Sequence, residues 1–116
     1  MRDKGQIIYN QLKRERDYIK DRKYHLKMHP KAFVGREFVQ WLVARGEVSN
    51  SEEAVRLGQA LLENGILHHV TDDHQFKNED LLYRFRYDDG TYRHKHQLQD
   101  IHIKGLRIYI LSLIHI

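Results

Sequence analysis

The sequence predicts a small α+β domain, on three observations. The run from Leu57 to Glu63 keeps helical hydrophobic spacing and stops at Asn64-Gly65. Ile66-Leu67-His68-His69-Val70 follows at once and suits a short strand. Residues 82–87 then alternate Leu82, Arg84 and Arg86 with Tyr83, Phe85 and Tyr87, the period of two that marks a half-buried strand. A helix, a short strand and an aromatic return strand form the back half of a winged-helix domain.

Each element has its own signal. Ile7, Ile8 and Leu12, flanked by Tyr9, predict a helix over residues 6–16. Residues 18–28 are strongly basic with a looser pattern and are expected as an extended arm or hairpin. His29-Pro30 stops any helix there, because the residue before proline is pushed toward extended geometry. A second helix fits residues 35–44. Phe38, Trp41 and Leu42 share its apolar face, Val39 and Val43 broaden it, and Gly46 is placed to cap it. Ser49-Asn50-Ser51-Glu52 has the spacing of a capping box at the start of a third helix. Its stripe is Ala54, Leu57, Gly58, Leu61 and Leu62, with Gly58 allowing close helix–helix approach and Gly65 ending it. Thr71–Asp73 is a polar turn, and Asp88-Asp89-Gly90 ends the fold proper. Residues 97–113 suit a final helix, although Ile108 and Ile110 also suit a strand. The chain thus divides into an N-terminal helix (1–16), a core with a hairpin arm (17–90) and a C-terminal linker or helix (91–116). The expected core gathers Phe38, Trp41, Leu42, Leu61 and Phe85.

Composition narrows the function classes. At 116 residues one domain is expected. No cysteine is present, which removes disulfides, a thiolate nucleophile and cysteine zinc sites. No apolar signal core follows Met1-Arg2-Asp3-Lys4-Gly5, and the apolar end of the chain is too short to span a bilayer and is broken by Arg107 and His115. The net charge is +4, unevenly spread. Residues 13–36 hold nine basic and three acidic residues, while residues 47–80 hold eight acidic and two basic. Such asymmetry points the basic segment at an anionic surface.

Catalysis and metal binding find little to stand on. There is no Gly-x-Ser-x-Gly, Walker loop or dinucleotide fingerprint. Asp72-Asp73 and Asp88-Asp89 lie in expected turns, where they suit solvation and backbone capping. His68 and His69 are adjacent in a strand and point to opposite faces. His94 and His96 share a face, but spacing brings no further ligand to them. No metal and no cofactor are expected. Nucleic acid is the alternative function, since winged helices often bind DNA. Here the helix that would enter the groove carries Glu52, Glu53 and Glu63 against one Arg56, the wrong charge for phosphates. Anionic membrane suits the chain better: Lys20, Arg22, Lys23, Lys27 and Lys31 cluster on or beside the arm and form the candidate lipid or partner site. The same charges also suit docking to an acidic protein surface.

A family resemblance joins these readings. It rests on Ile19-Lys20-Asp21-Arg22-Lys23, on Phe33-Val34-Gly35 with Phe38 and Trp41-Leu42, and on the run from Leu57 to Ile66. It continues in His68-His69-Val70, His74-Gln75-Phe76-Lys77, the run from Tyr83 to Thr91, and Asp100, Lys104-Gly105, Arg107 and Tyr109. In these residues the chain resembles a DEP domain, specifically the first of the two DEP domains of the P-Rex class of Rac guanine-nucleotide exchange factors. Asp88-Asp89-Gly90-Thr91 is shared with DEP-containing inhibitors of mTOR. The resemblance implies three helices, a β-hairpin arm and a small C-terminal β element. It implies a non-catalytic regulatory module, with exchange chemistry in another domain and control by intramolecular autoinhibitory contacts. The implied partners are other domains of the same chain, G-protein subunits, the mTOR complex and anionic lipids, and a domain-swapped dimer is allowed. The implied location is the cytoplasm, with recruitment to the inner face of the plasma membrane.

Overall fold

The structure, a computed structural model, describes residues 3–91 and 94–113. Helix α1 (Lys4–Arg14) leads into strands β1 (Lys20–Tyr24) and β2 (Lys27–Val34). Helices α2 (Gly35–Ala44) and α3 (Ser51–Glu63) follow, then β3 (Leu67–His69), β4 (Leu82–Phe85) and a one-turn helix α4 (Arg86–Asp89). The chain closes with a hairpin of β5 (His94–Ile103) and β6 (Leu106–Leu113). The main sheet is antiparallel in the order β1-β2-β4-β3. Its inner end packs against the three helices around Phe33, Phe38, Leu42, Leu57, Leu61, Tyr83 and Phe85, all almost fully buried. The α+β expectation therefore holds, and Trp41 lies in the core as expected, 3% exposed and stacked on Phe38. Its indole N–H donates to Glu15.

The first helix is part of that core. Asp3 caps it by accepting from the Gly5 amide at 3.1 Å. Ile8 and Leu12 are fully buried, and the Tyr9 ring sits 5.0 Å from Phe85 and 4.8 Å from Tyr87. Burying side chains of this size stabilises by roughly 2 kcal/mol each. The Tyr9 hydroxyl donates to Asp88 Oδ1 at 2.6 Å, and burial followed by that bond raises its pKa well above the ordinary phenol value.

Helix α3 begins one residue later than the spacing of Ser49 and Glu52 suggests. Asn50 is the N-cap: extended at φ −160°, it accepts from the Glu53 amide at 2.9 Å. Glu53 completes the box by accepting from the Ser49 amide at 2.8 Å. At the far end Gly65 adopts φ 71°, which lets its amide reach Leu62 O at 3.0 Å and the Ile66 amide reach Leu61 O at 2.9 Å. The helix thereby reverses directly into β3. Helix α2 has no side-chain cap; the Gly35 and Arg36 amides donate instead to Leu81 O and Glu79 O, both at 2.9 Å.

Three further expectations need correction. Gly58 does not face a neighbouring helix. A Cβ there would lie 2.4 Å from the Phe76 ring, so the segment between β3 and β4 packs on it. The return strand ends at Phe85, because the Arg86 amide turns to Ile66 O at 2.8 Å and Tyr87 leaves the sheet to pack on Tyr9. The helix expected over residues 97–113 is a β-hairpin, with Lys104 (φ 56°) and Gly105 (φ 73°) at its turn. Ile103 and Ile110 from this hairpin are buried in the main core.

The segment between β3 and β4 is fixed without regular structure. Gln59 accepts from the Phe76 amide at 3.0 Å, and the Tyr83 hydroxyl donates to Gln75 O at 2.6 Å while accepting from the Lys77 amide at 3.0 Å. Gly58→Ala tests this packing. The added methyl gains about 1 kcal/mol of helix propensity, yet it must displace the Phe76 ring. We expect a net loss of roughly 1–3 kcal/mol by denaturant midpoint, relieved in a Phe76→Ala background. A raised midpoint for Gly58→Ala alone would contradict the contact.

Candidate interaction surface

The hairpin arm is an outward continuation of a core strand. At its inner end Phe33 and Val34 of β2 pair with Tyr83 and Leu82 of β4. At its outer end β2 pairs with β1 as Arg22↔His29, Lys23↔Met28 and Tyr24↔Lys27. Between Lys20 and Arg22 the register shifts, because β2 spends His29 to Ala32 against two steps of β1. This is a β-bulge at Pro30-Lys31, where proline donates nothing to a ladder. Lys31 takes φ 51°, and its amide donates to Asp21 Oδ1 at 3.1 Å. The tip, His25-Leu26, is a two-residue turn with φ 50° and 63°.

Of the five expected contact residues, the structure leaves four available and commits one. Lys20, Lys23, Lys27 and Lys31 are exposed, and among the described residues none has a carboxylate within ion-pair distance. They share one hairpin but not one face: Lys23 lies with Met28, Lys27 with Tyr24 on the opposite side. Arg22 is structural. Its Nε donates to Ala32 O at 2.9 Å, and Nη2 reaches Tyr18 O at 2.8 Å and Glu37 Oε1 at 3.3 Å. A planar guanidinium with five donors can tie β1, β2 and α2 together in this way, and a flexible lysine cannot.

The acidic segment does not neutralise the arm. Glu47 pairs with Lys4 at 2.5 Å, Asp80 with Arg36 at 3.2 Å, and Glu53 accepts from the Lys104 amide at 3.0 Å. Charge-blind to these pairings, the sequence also misses the apolar part of the surface. Leu26 is 92% exposed, with Met28 and Tyr24 about half exposed beside it. The signal was present in the alternation of apolar and basic residues from Tyr24 to Met28.

The arm overhangs β3 and the residues after it, enclosing a cleft of about 360 Å³. Tyr24, His25, Lys27 and His29 line one side; His69, Thr71, Asp73, His74 and Leu81 line the other. His29 is 5% exposed and His69 6%. Burial is the main cause lowering both imidazole pKa values, aided by Lys27 and Arg84 at His29 and by His74 at His69. Nδ1 of His69 accepts from the Thr71 and Asp73 amides, each at 3.3 Å, which places its proton on Nε2.

His68 points the other way, as strand alternation requires. Its ring lies between Asp72 (Nδ1 to Oδ1, 3.0 Å) and Asp89 (Nε2 to Oδ2, 2.7 Å). The expected solvation of Asp89 is thus corrected: its side chain is 18% exposed and closes the domain onto β3. Burial alone would raise its carboxyl, but hydrogen bonds from Thr91 and His68 outweigh that and hold it below the usual range.

These shifts share a sign. The unfolded chain binds more protons than the folded one below about pH 6.5 for the two histidines, and at lower pH for Asp89. Stability is therefore complete above that pH and falls as the pH drops through the folded values. We expect the thermal midpoint to decline between about pH 7 and about pH 5, with a shallower decline in His29→Gln. Equal slopes in the two proteins would contradict a buried neutral His29.

Comparison with known proteins places the chain. The family profile described as "Domain found in Dishevelled, Egl-10, and Pleckstrin (DEP)" matches residues 18–85. The chain is 56% identical over 92% of its length to phosphatidylinositol 3,4,5-trisphosphate-dependent Rac exchanger 1 protein of Mus musculus. It is 55% identical over 92% to Rac exchanger 2 protein of the same description from Homo sapiens. Vacuolar membrane-associated protein IML1 of Saccharomyces cerevisiae is 36% identical over 65% of the chain. The chain spans only 6%, 7% and 5% of these relatives, so what matches is a small part of each.

Proposed function

We propose that this chain, which belongs to the DEP domain family, is a non-catalytic regulatory module of a Rac guanine-nucleotide exchange factor, and that its hairpin arm engages anionic membrane. The observation that carries the membrane reading is the arm: an almost fully exposed Leu26 at the tip, Met28 and Tyr24 behind it with Lys23 and Lys27 across the ladder from them, and exposed Lys20 and Lys31 farther along at the bulge. Lysines attract an anionic leaflet by about 1 kcal/mol each, and burying an exposed leucine adds roughly 2 kcal/mol. Leu26 also sits at positive φ, where a side chain costs about 1–2 kcal/mol that glycine avoids. A strained, exposed leucine at a turn that favours glycine fits selection for contact, not for stability.

Within such an exchange factor the arm and the DEP core act by intramolecular, autoinhibitory contacts and by partner contacts. The partners in keeping with the family are other domains of the same chain, G-protein subunits, the mTOR complex and, through an exchanged hairpin, a second copy. Recruitment from the cytoplasm to the inner face of the plasma membrane is in keeping with the arm chemistry. No helix among the described residues is long and apolar enough to cross a membrane.

Binding of nucleic acid through α3 is disfavoured by charge and by access. Arg56 donates to His102 O at 2.8 Å, and the Lys104 amide donates to Glu53, so the β5–β6 turn sits on the start of that helix. Its one basic side chain is spent on protein.

Two variants separate the contributions. Replacing Lys20, Lys23 and Lys31 by alanine should leave the thermal midpoint within about 1 °C, because exposed charges contribute little to stability. It should lower co-sedimentation with phosphatidylserine vesicles by roughly tenfold or more at low salt. Leu26→Gly should raise stability by about 1 kcal/mol while weakening vesicle binding. If both variants bind vesicles like the parent chain, the arm is not a membrane contact. In a full-length exchange factor, a changed basal exchange rate with unchanged vesicle binding would assign the lysines to internal docking instead.

A further inference from the structure

We propose that Tyr24 is the acceptor residue for a tyrosine kinase, and that a phosphate placed there switches off the arm's attraction to anionic membrane. The second half rests on the membrane reading of the arm; the first half does not.

The first observation is that Tyr24 stands apart from the other tyrosines. Among the described residues it is the one tyrosine that is exposed, at 43%. Tyr9 and Tyr83 are buried, with their hydroxyls donating to Asp88 Oδ1 and Gln75 O. Tyr18, Tyr87 and Tyr109 are partly buried. The Tyr24 ring rests edge-on against His25 at 4.0 Å, and its hydroxyl has no partner among the described residues. It is also the only hydroxyl-bearing side chain from Lys20 to Lys31, so a hydroxyl-directed kinase has no other acceptor on this part of the arm.

The second observation is presentation. A protein kinase takes its acceptor in an extended segment, and β1 is already extended up to Tyr24. It is an edge strand with β2 as its one neighbour, so its other side is open to pair with an incoming chain. Beyond Tyr24 the turn must open, and little opposes that. His25 and Leu26 both sit at positive φ, which residues other than glycine disfavour, so opening relieves a strained conformation. Leu26 and Met28 are already 92% and 56% exposed, so opening uncovers no core. The inner end of the arm stays fixed by Arg22 and by the pairing of Phe33 and Val34.

The third observation is charge. From Lys20 to Lys31 the arm has five basic residues against one acidic residue, Asp21, a formal charge of +4 with the histidines neutral. In the transfer, the Tyr24 phenol oxygen bonds to the γ-phosphorus of ATP and the bond from that phosphorus to the β-phosphate oxygen breaks. ADP leaves, and the phenol proton passes to the kinase's catalytic aspartate. The product carries about two negative charges near neutral pH, which cancels about half the charge of the arm. Lys27 lies directly across the ladder from Tyr24, exposed and without a carboxylate partner, so it is placed to donate to the phosphate. A dianion then stands behind the tip where an amphipathic ring stood, and an anionic leaflet repels it. Losing the attraction of two basic groups lowers binding to such a leaflet by roughly tenfold or more.

The test uses the folded 116-residue chain, Mg-ATP and a tyrosine-kinase catalytic domain that modifies a free peptide of residues 17–32. Mass spectrometry should place the phosphate on Tyr24 ahead of every other tyrosine, and Tyr24→Phe should lose that incorporation. A folded chain left unmodified at Tyr24, or modified first elsewhere, would overturn the acceptor assignment. The phosphorylated chain should keep its thermal midpoint within about 1 °C, since exposed charges contribute little to stability. It should co-sediment with phosphatidylserine vesicles about tenfold less than the unmodified chain at low salt, and phosphatase treatment should restore the binding. Unmodified chain that binds vesicles, with equal binding after phosphorylation, would overturn the switch and leave the membrane reading standing. Unmodified chain that does not bind vesicles would overturn the membrane reading and the switch with it, while modification of Tyr24 would still stand or fall by the mass spectrum.

Discussion

The pairing of Phe33 and Val34 with Tyr83 and Leu82 is the constraint on which the surface depends. The inner end of β2 is locked into the aromatic core, where Phe33 packs 5.2 Å from Phe38 and 5.0 Å from Phe85. The outer half of the same strand carries the arm, so the arm inherits its direction from the core. Arg22 holds β1 to it, and the bulge at Pro30-Lys31 increases its local twist. Without the inner pairing, the basic segment would be an unaimed charged loop. With it, the apolar tip, the exposed lysines on both faces of the arm and the histidine-lined cleft beneath it occupy fixed places.

Charge is arranged on the same plan. Acidic residues of the 47–80 segment are used inside the domain: Glu53 as a helix cap and a clamp on the C-terminal hairpin, Glu47 in an ion pair with Lys4. The arm lysines are left unneutralised. A domain of modest net charge thus has one strongly positive projection, which can orient it at an anionic surface without strong attraction elsewhere.

Much of this was legible in the sequence, for identifiable reasons. Helix α2 falls on the expected residues because Phe38, Trp41 and Leu42 fix its face locally. The end of α3 is legible because Gly65 is demanded by its φ. What failed depends on distant partners. The cap moved from Ser49 to Asn50 because both residues suit the role and only the bond to the Glu53 amide decides. The C-terminal hairpin was hidden because Ile101, Ile103, Ile108 and Ile110 fit either period, although Lys104-Gly105 is a hairpin-turn pair. Arg22 looks like its lysine neighbours in sequence; only the carbonyls around it make it structural. His29 carries no local signal at all, since its burial is created by the strand beside it and the segment across the cleft.

The central claim is that a core-anchored arm presents its tip to a membrane. The most direct measurement is amide line-broadening of the chain on anionic bicelles carrying a lipid-embedded nitroxide. Broadening that peaks at Leu26 and Met28, decays along β1 and β2 toward Phe33, and spares α3 is the predicted result. Broadening centred on α3 or on the β5–β6 turn, or absent from the arm, would contradict the account.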